Sequence, residues 1–216
     1  MMIFNKIAEV VEINGFKLSI DTMGGLTTVK NPINVRKDLH IPSVLPSGSH
    51  ISFIARGAFD SCKLGRVIID DDISVAEGSF ENADINTVVW PKSNTTIPSF
   101  CFRQSRIGRI EGIENVVSIG EYAFGYAAIG NLRWPDNVCK IPVGCFASSR
   151  LRTVTAIDNI SEIGLFAFSH AQLNGLDLSN SKVTVIGKAA FLGIDKDKIT
   201  KPYYMTDDAF NIAFAS

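Results

Sequence analysis

Residues 119–124 read Ile-Gly-Glu-Tyr-Ala-Phe, and residues 163–168 repeat the pattern as Ile-Gly-Leu-Phe-Ala-Phe. The final phenylalanine belongs to a column that recurs at spacings of 21, 22, 22, 22, 22 and 23 residues: Phe59, Phe80, Phe102, Phe124, Phe146, Phe168 and Phe191. Five residues before each stands an aliphatic residue: Ile54, Val75, Ile97, Ile119, Ile141, Ile163 and Ile186. A fixed period of this length indicates a solenoid whose coils stack on one another.

The second half of each repeat carries two further apolar columns. The first lies five residues after the phenylalanine, at Leu64, Ile85, Ile107, Ile129, Leu151 and Leu173, and the second lies three residues later, at Val67, Val88, Ile110, Leu132, Val154 and Leu176. The residues around them alternate as in a half-buried strand, whereas the I-x-x-x-x-F stretch is short enough for one helical turn. We therefore predict an α/β solenoid with one parallel β-strand and one short helical turn per repeat.

Together with Leu132-Arg133-Trp134-Pro135, the two quoted stretches resemble the I-G-x-x-A-F and L-x-x-I-x-L-P signatures of BspA-like leucine-rich repeats. The resemblance covers residues 39–191, about seven repeats of about 22 residues. It implies a right-handed leucine-rich-repeat superhelix. It also implies membership of a diverse family that is largely defined by binding and includes bacterial surface adhesins.

The N-terminal end departs from the repeat, as the end of an array must if it is to cover the core. Residues 9–20 form two alternating apolar stretches joined by Asn14-Gly15, which is a strong signal for a β-hairpin. We therefore predict that residues 1–38 form an N-terminal β cap with a β-hairpin.

The C-terminal end is also atypical. The segment from Met205 to Phe210 repeats the spacing of the aliphatic and phenylalanine columns, but Phe210 follows Phe191 by only 19 residues. We predict that residues 192–216 form a degenerate C-terminal capping repeat.

Charge and hydropathy restrict the partners and the location. Lys and Arg number 21 and Asp and Glu number 22, so there is no basic excess of the kind that nucleic-acid binding requires. The chain has no apolar run of about 18 residues, so we expect no membrane insertion. Glu9 falls where a signal peptide would need an unbroken apolar segment, so the expected location is cytoplasmic, or the cell surface if a leader was removed.

Residues with reactive side chains occupy positions that indicate structural roles. Cys62, Cys101 and Cys145 stand in columns otherwise filled by Ala and Ser, so we predict buried thiols without disulfide or metal. The three histidines have no partners at motif spacing. The acidic run at residues 70–72 is interpreted as a solvated loop, with a cation site as the lesser alternative. The chain is thus predicted to be no enzyme and to use no metal or cofactor.

Two columns hold aromatic residues that could bind ligands. The tryptophans alternate with small residues in the column Ile69, Trp90, Gly112, Trp134, Ala156 and Leu178, which favours core packing over ligand anchoring. A second column reads Gly57, Gly78, Phe100, Tyr122, Gly144, Phe166 and Ala189. Its aromatic rings are predicted to pack on the convex side in a row that Gly144 interrupts.

Parallel strands of a solenoid stack so that their outward side chains form a continuous concave surface. The outward positions predicted to bind a partner are Arg66, Ile68, Thr87, Val89, Arg109, Glu111, Asn131, Arg133, Thr153, Thr155 and Asp177. The centre of this surface, with Arg109, Glu111, Asn131 and Arg133, is predicted to form one polar patch. Such a mixture suits a protein better than a phosphate backbone, although ordinary solvated strand positions are an equally weighted alternative.

The sequence leaves two functional hypotheses of different kinds. The first is a non-catalytic module that binds another protein through the concave face. The second is an exported cell-surface adhesin or host-interaction module, which rests on the family resemblance.

Overall fold

The computed structural model describes residues 6–31 and 36–215. These residues contain one α-helix, α1 (Asp207–Asn211), and three short 3-10 helices at Ile113–Asn115, Lys196–Lys198 and Ile212–Phe214. The strands in chain order are β1 (Ile7–Ile13), β2 (Phe16–Asp21), β3 (Gly25–Lys30), β4 (Lys37–Ile41), β5 (Phe53–Ile54), β6 (Lys63–Ile69), β7 (Ser74–Val75), β8 (Asp84–Val89), β9 (Thr96–Ile97), β10 (Arg106–Glu111), β11 (Ser118–Ile119), β12 (Asn131–Arg133), β13 (Lys140–Ile141), β14 (Thr153–Thr155), β15 (Glu162–Ile163), β16 (Leu176–Asp177), β17 (Val185–Ile186) and β18 (Ile199–Thr200).

The chain forms a β-solenoid of about seven turns with mostly parallel strands, as the repeat predicts. The even-numbered strands from β4 to β18 carry the leucine columns, and we call this stack the leucine ladder. The odd-numbered strands from β5 to β17 carry the isoleucine column and form the isoleucine ladder. Register follows the predicted columns, because Leu64 pairs with Ile85 and Ile85 pairs with Ile107.

An antiparallel sheet precedes the first coil. Strands β1 and β2 pair around Asn14 and Gly15, whose φ angles of 50° and 84° match the two left-handed residues of a type I′ turn. Strand β3 pairs antiparallel with β2 and parallel with β5, through Leu26 opposite Ile54. This sheet therefore extends the isoleucine ladder toward the N-terminus.

The segment that holds the phenylalanine column is a series of hydrogen-bonded turns. In the coil of Phe59, the amides of Ala58 and Cys62 donate to carbonyls three residues earlier. The same segment contains two left-handed residues, Gly57 with φ 68° and Ser61 with φ 59°. A left-handed residue cannot continue a right-handed helix, so the predicted helical turn of each repeat is not confirmed.

The core is a stack of phenylalanine rings that runs through the solenoid. All seven rings of the column are fully buried, and neighbouring ring centroids lie between 4.5 Å, for Phe59 and Phe80, and 5.7 Å, for Phe168 and Phe191. Trp90 and Trp134 are 1% and 0% exposed, which confirms the prediction of core packing. Each indole N–H donates to a backbone carbonyl four residues later, so no buried donor is lost.

Pairing in the leucine ladder stops after β10 and after β14. These strands are followed by Gly112, with φ 82°, and Ala156, with φ 61°. After β8, by contrast, the amide of Trp90 donates to Glu111 in the next coil at 2.8 Å. Among the described hydrogen bonds, the amides of Gly112 and Ala156 donate none to the next coil. The left-handed residue after the strand therefore ends the strand pairing.

Pairing in the isoleucine ladder stops between β7 and β9 and between β11 and β13. At an intact boundary, the amide of Gly164 donates to Ile141 in the preceding coil at 2.8 Å. The equivalent positions after β9 and β13 are Pro98 and Pro142, which have no N–H group. Proline therefore removes the hydrogen bond at both interruptions.

Strand pairing is interrupted in both ladders at one boundary. This boundary lies between the coil that contains β10 and β11 and the coil that contains β12 and β13. We call this boundary the seam. Across it, an isolated bridge joins Arg106 to Ala128, and the turn segments remain hydrogen bonded. The amide of Phe124, for example, donates to Cys145 at 3.0 Å. Among the described residues, every other boundary between coils with strands in both ladders keeps strand pairing in at least one ladder. The seam keeps it in neither.

The closing coil places a different phenylalanine in the column than the spacing predicts. The amide of Phe191 donates to Ala213, as Phe168 donates to Ala190 one coil earlier. Ala213 and Phe214 therefore continue the alanine and phenylalanine columns. The prediction that Phe210 does so is wrong, because α1 inserts Phe210 beside the stack, where it is buried.

Candidate protein-binding surface

The residues predicted to bind a partner all lie on the leucine ladder, and none of them is buried. Strand pairing arranges them in rows, which run Arg66, Thr87, Arg109 and Ile68, Val89, Glu111 on β6, β8 and β10, and Asn131, Thr153 and Arg133, Thr155 on β12 and β14. Asp177 lies on β16 and is exposed. Alternation along a strand is sufficient to place these side chains on the outer face.

The rows do not form one continuous sheet. Strands β4, β6, β8 and β10 form a four-stranded sheet, whereas β12 pairs with β14 and β16 pairs with β18 in two separate sheets. The seam therefore lies between Arg109 and Glu111 on one side and Asn131 and Arg133 on the other. The four residues therefore lie on two separate sheets in adjacent coils, and a patch shared by all four stays a prediction.

The four-stranded sheet carries a bridge of three charged side chains. Arg66 binds Glu111 through both guanidinium nitrogens, with Nη1 at 3.0 Å from Oε1 and Nη2 at 2.5 Å from Oε2. This pair spans β8, because Arg66 is on β6 and Glu111 is on β10. Arg109 also donates to Glu111, so one carboxylate binds two guanidinium groups and the group keeps a net positive charge.

An apolar edge lies beside this bridge. Ile68 is 36% exposed, and its neighbour Val89 is half-buried in the row that ends at Glu111. Thr87 separates Arg66 from Arg109 in the other row. The outer face of the four-stranded sheet thus presents two arginines, one carboxylate and a short aliphatic strip.

The next sheet carries neutral contacts and a second ion pair. Thr153 donates its hydroxyl to Asn131 at 2.7 Å across β12 and β14. Arg133 donates from Nη2 to both carboxylate oxygens of Asp136 at 2.9 Å. Asp136 was missed in the sequence, although its position three residues after Arg133 in a Trp-Pro turn was a usable signal.

The cysteines do not form a chemical site. Cys62, Cys101 and Cys145 are buried, as predicted, and all four cysteines are free. Burial raises the pKa of the Cys62 thiol to about 12, with a smaller effect of Asp60 in the same direction. Burial also raises the pKa values of Cys101 and Cys145, so all three stay protonated and unreactive at neutral pH.

The acidic loop makes internal hydrogen bonds. Asp70 accepts from the amide of Ser43 at 2.8 Å and contacts Nε2 of His40 at 2.7 Å. Burial alone would raise the pKa of Asp70, but the bonds from Ser43 and His40 lower it below its usual value. Asp71 accepts from the amide of Lys92. Within residues 6–31 and 36–215, no three His, Cys, Asp or Glu side chains are placed to hold a metal ion.

Helices in the described part of the chain are too short and too polar to cross a lipid bilayer. The largest described elements are strands of at most seven residues.

Stacked coils with a parallel strand in each ladder define the protein as a leucine-rich-repeat solenoid. The family described as BspA type leucine-rich repeat region matches residues 42–126 and 73–200, with six copies of the repeat. These matches cover more than half of the chain. The chain therefore belongs to this family, as the two Ile-Gly-x-x-Ala-Phe stretches indicate.

Three of the solved structures that match the chain are leucine-rich proteins from different bacteria. A leucine-rich cell surface protein from Faecalibacterium prausnitzii A2-165 matches with a TM-score of 0.53 and 19% identity, over 87% of this chain and 52% of that chain. A leucine-rich repeat protein from Bacteroides ovatus ATCC 8483 matches with a TM-score of 0.37 and 18% identity, over 90% of this chain and 66% of that chain. The T. pallidum leucine-rich repeat protein matches with a TM-score of 0.49 and 15% identity, over 96% of this chain and 100% of that chain.

The chain thus spans about half the length of the Faecalibacterium protein. No curated protein matches the chain.

Proposed function

We propose that the protein is a non-catalytic module that binds another protein through the outer face of the leucine ladder. The proposed contact is centred on the four-stranded sheet, where Arg66 and Arg109 share Glu111 beside Ile68 and Val89. The second sheet, with Asn131, Arg133, Thr153 and Thr155, and Asp177 beyond it, would extend the contact toward the C-terminus.

The charge bridge is the observation that carries this proposal. A guanidinium group that is already held by a carboxylate loses less conformational freedom on binding than a free one. Arginine and exposed aliphatic groups beside one another are typical of interfaces, whereas lysine is depleted there. Leucine-rich repeat folds commonly bind proteins, which also supports a protein partner for this face.

Nucleic acid fits this face less well. A phosphate backbone requires many cations that are free to replace counterions. Arg66 and Arg109 already share Glu111, and Arg133 is held by Asp136. The proposal therefore names a protein and no cofactor.

A photo-crosslinking residue at Thr87, in the middle of the charged sheet, tests the proposal in extracts of the native cell. Val185 is the matched control, because it is an exposed strand residue of the isoleucine ladder. We expect one protein to crosslink at Thr87 and not at Val185. The same protein captured equally from both positions would contradict the proposal.

The double variant Arg109→Glu with Arg133→Glu provides the second arm of this experiment. Each exposed ion pair contributes about 1 kcal/mol or less, so the melting temperature should change little. Reversing both charges should abolish the Thr87 crosslink, because charge complementarity at the contact is lost. A double variant that crosslinks as wild type would show that the leucine ladder is not the working face.

A second candidate function is that of an exported surface module. It is supported by the fold shared with the Faecalibacterium protein, which is described as a cell surface protein. Protease treatment of intact native cells distinguishes this location from the cytoplasmic one. Digestion of the protein in intact cells would support surface exposure, whereas digestion only after lysis would support the cytoplasm.

A further inference from the structure

Three bulky aromatic residues occupy a backbone position that favours glycine. The first of the two left-handed residues in each turn segment is a glycine in three coils, at Gly57, Gly78 and Gly144. Phe100, with φ 58°, Tyr122, with φ 51°, and Phe166, with φ 56°, occupy the same position in their coils. Of these three, Phe100 and Tyr122 lie in neighbouring coils. A large side chain in this conformation is strained, and such strain is concentrated at functional sites.

The rings of Phe100 and Tyr122 form an ordered pair, and Tyr122 lies next to the seam. Their centroids lie 5.7 Å apart and their planes differ by 6°. The Tyr122 ring leans over Gly144 in the next coil, where a Cβ atom would lie 2.2 Å from ring atom Cε1. Gly144 therefore makes room for the ring, in addition to its predicted interruption of the aromatic row.

Two arginines flank these rings. Arg103 donates to Glu81 at 2.7 Å, and its guanidinium carbon lies 5.6 Å from the centre of the Tyr126 ring. Arg56 is exposed and has no ion pair or side-chain hydrogen bond with any described residue. The group of Arg56, Arg103 and Glu81 thus holds two positive charges and one negative charge.

These side chains line one open cleft of about 350 Å³, which is bounded by Arg56, Phe100, Arg103, Tyr122 and Tyr126. The volume is at the lower end of the range for ligand pockets, about 300–1,000 Å³. We propose that this cleft binds a segment of a partner protein in which an aromatic or large apolar side chain is flanked by carboxylates. The apolar side chain would pack against the rings, and a carboxylate would pair with Arg56.

The lining favours a peptide over other ligand classes. Tyrosine and arginine in a shared pocket are the residue types that dominate binding energy at protein interfaces. Two arginines are too few for a nucleic-acid backbone. Glu81 is the one carboxylate bonded to a lining residue in the described structure, and it is occupied by Arg103, so the cleft offers few acceptors for sugar hydroxyls.

This site lies on the turn segments and does not depend on the function proposed for the leucine ladder. The test is a titration of the ¹⁵N-labelled protein, followed by NMR, with the peptide acetyl-Glu-Phe-Glu-amide. We expect saturable shifts at residues 56, 100–104 and 122–126, with dissociation in the millimolar range of a small contact. Acetyl-Lys-Phe-Lys-amide and acetyl-Glu-Ala-Glu-amide should bind at least about tenfold more weakly, because each lacks one of the two recognised features.

Two variants connect the shifts to the named side chains. Arg56→Gln and Phe100→Gly should each weaken the peptide about tenfold, as expected for residues central to a contact. Phe100→Gly should fold, because glycine favours the φ of this position. Arg150→Gln is the matched control, since Arg150 is exposed and has no ion pair in the described residues. It should leave binding of the peptide unchanged.

Three results would overturn the proposal. The first is equal binding of the acidic and basic peptides, and the second is shifts confined to the leucine ladder. The third is an absence of peptide shifts together with saturable shifts at residues 100–126 on titration with glucuronate, which would assign the cleft to an acidic sugar.

Discussion

The two halves of the solenoid share the same apolar columns but differ in backbone pairing. On the N-terminal side of the seam, the leucine ladder is one sheet of four strands with five to seven residues each. On the C-terminal side it is two pairs of strands with two or three residues each. The buried phenylalanine stack continues through both halves without a gap.

This difference shows that core packing and sheet pairing are specified by different residues. The phenylalanine and leucine columns determine where each coil turns and what it buries. Whether a coil then pairs with its neighbour depends on single backbone positions, such as Gly112 in the leucine ladder and Pro142 in the isoleucine ladder. The seam is the place where both determinants oppose pairing.

The largest expected effect comes from Phe124→Ala, which removes the ring that connects the halves. Phe124 stacks on Phe102 and on Phe146 with centroid distances of 5.5 Å to each. Loss of a fully buried phenylalanine costs about 3–5 kcal/mol of unfolding free energy. Urea denaturation of fluorotryptophan-labelled protein measures this loss, because Trp90 reports on the N-terminal half and Trp134 on the C-terminal half.

We expect the two tryptophan transitions to separate in Phe124→Ala and to coincide in the wild type. Phe80→Ala is the control, since it removes an equally buried ring within the N-terminal half. It should lower stability without separating the transitions. Coincident transitions in Phe124→Ala would show that the seam does not divide the solenoid.

A smaller effect on stability is expected from substitutions of the left-handed residues that follow β10 and β14. Gly112→Ala should cost about 1–2 kcal/mol, because L-residues are strained in the left-handed region. A Cβ atom at this position would also lie 2.8 Å from the carbonyl oxygen of Trp90. Thermal denaturation measures the change.

Ala156→Gly is the reciprocal variant, because Ala156 already has a left-handed φ of 61°. Relief of strain should outweigh the added entropy of the unfolded chain, for a net gain of up to about 1 kcal/mol. Equal losses of stability in both variants would refute the assignment of these positions as left-handed strand ends.

The smallest effect on stability is expected from Pro142→Ala. The alanine amide could donate to Ile119 across the seam, as Gly164 donates to Ile141 in the next coil. The new hydrogen bond, about 0.5–1.5 kcal/mol, is nearly offset by the larger entropy of the unfolded chain, about 0.4–1 kcal/mol. Hydrogen exchange should nevertheless detect a protected amide at residue 142. Pro98→Ala is its counterpart in the N-terminal half, and rapid exchange at residue 142 would refute the role of proline.

The core was predictable from the sequence because burial leaves a periodic signal. The phenylalanine column, the paired leucine columns and the buried tryptophans all follow from spacing and from the alternation of large and small residues. The closing coil was not predictable in the same way. Its spacing indicated Phe210, but the short α1 helix lengthens the coil and brings Phe214 into the column.

The turn segments were harder to predict because their backbone contradicts residue preference. Phe100 and Tyr122 adopt left-handed φ angles that propensity alone would assign to glycine or asparagine. The repeat itself held the missing signal, since glycines recur in the same column.

The candidate surface was predictable in its position but not in its electrostatics. Alternation along the strands identified which side chains face outward. It could not show that Arg66 reaches across β8 to Glu111, because such a contact depends on side-chain conformation. Nor did it show that the sheet is interrupted beside Arg109.

The seam also has a mechanical meaning. A stack of coils resists bending and torsion through the hydrogen bonds that couple each coil to the next. Between β10 and β12 that coupling falls mainly on one edge of the stack, where the amides of Phe124 and Tyr126 donate to Cys145 and Ala147. Under load, the solenoid should therefore flex as two stiff rods joined along this edge. The Tyr122 ring, which leans over Gly144 across the seam, lies at that hinge, so its distance from Gly144 should change with the angle between the rods.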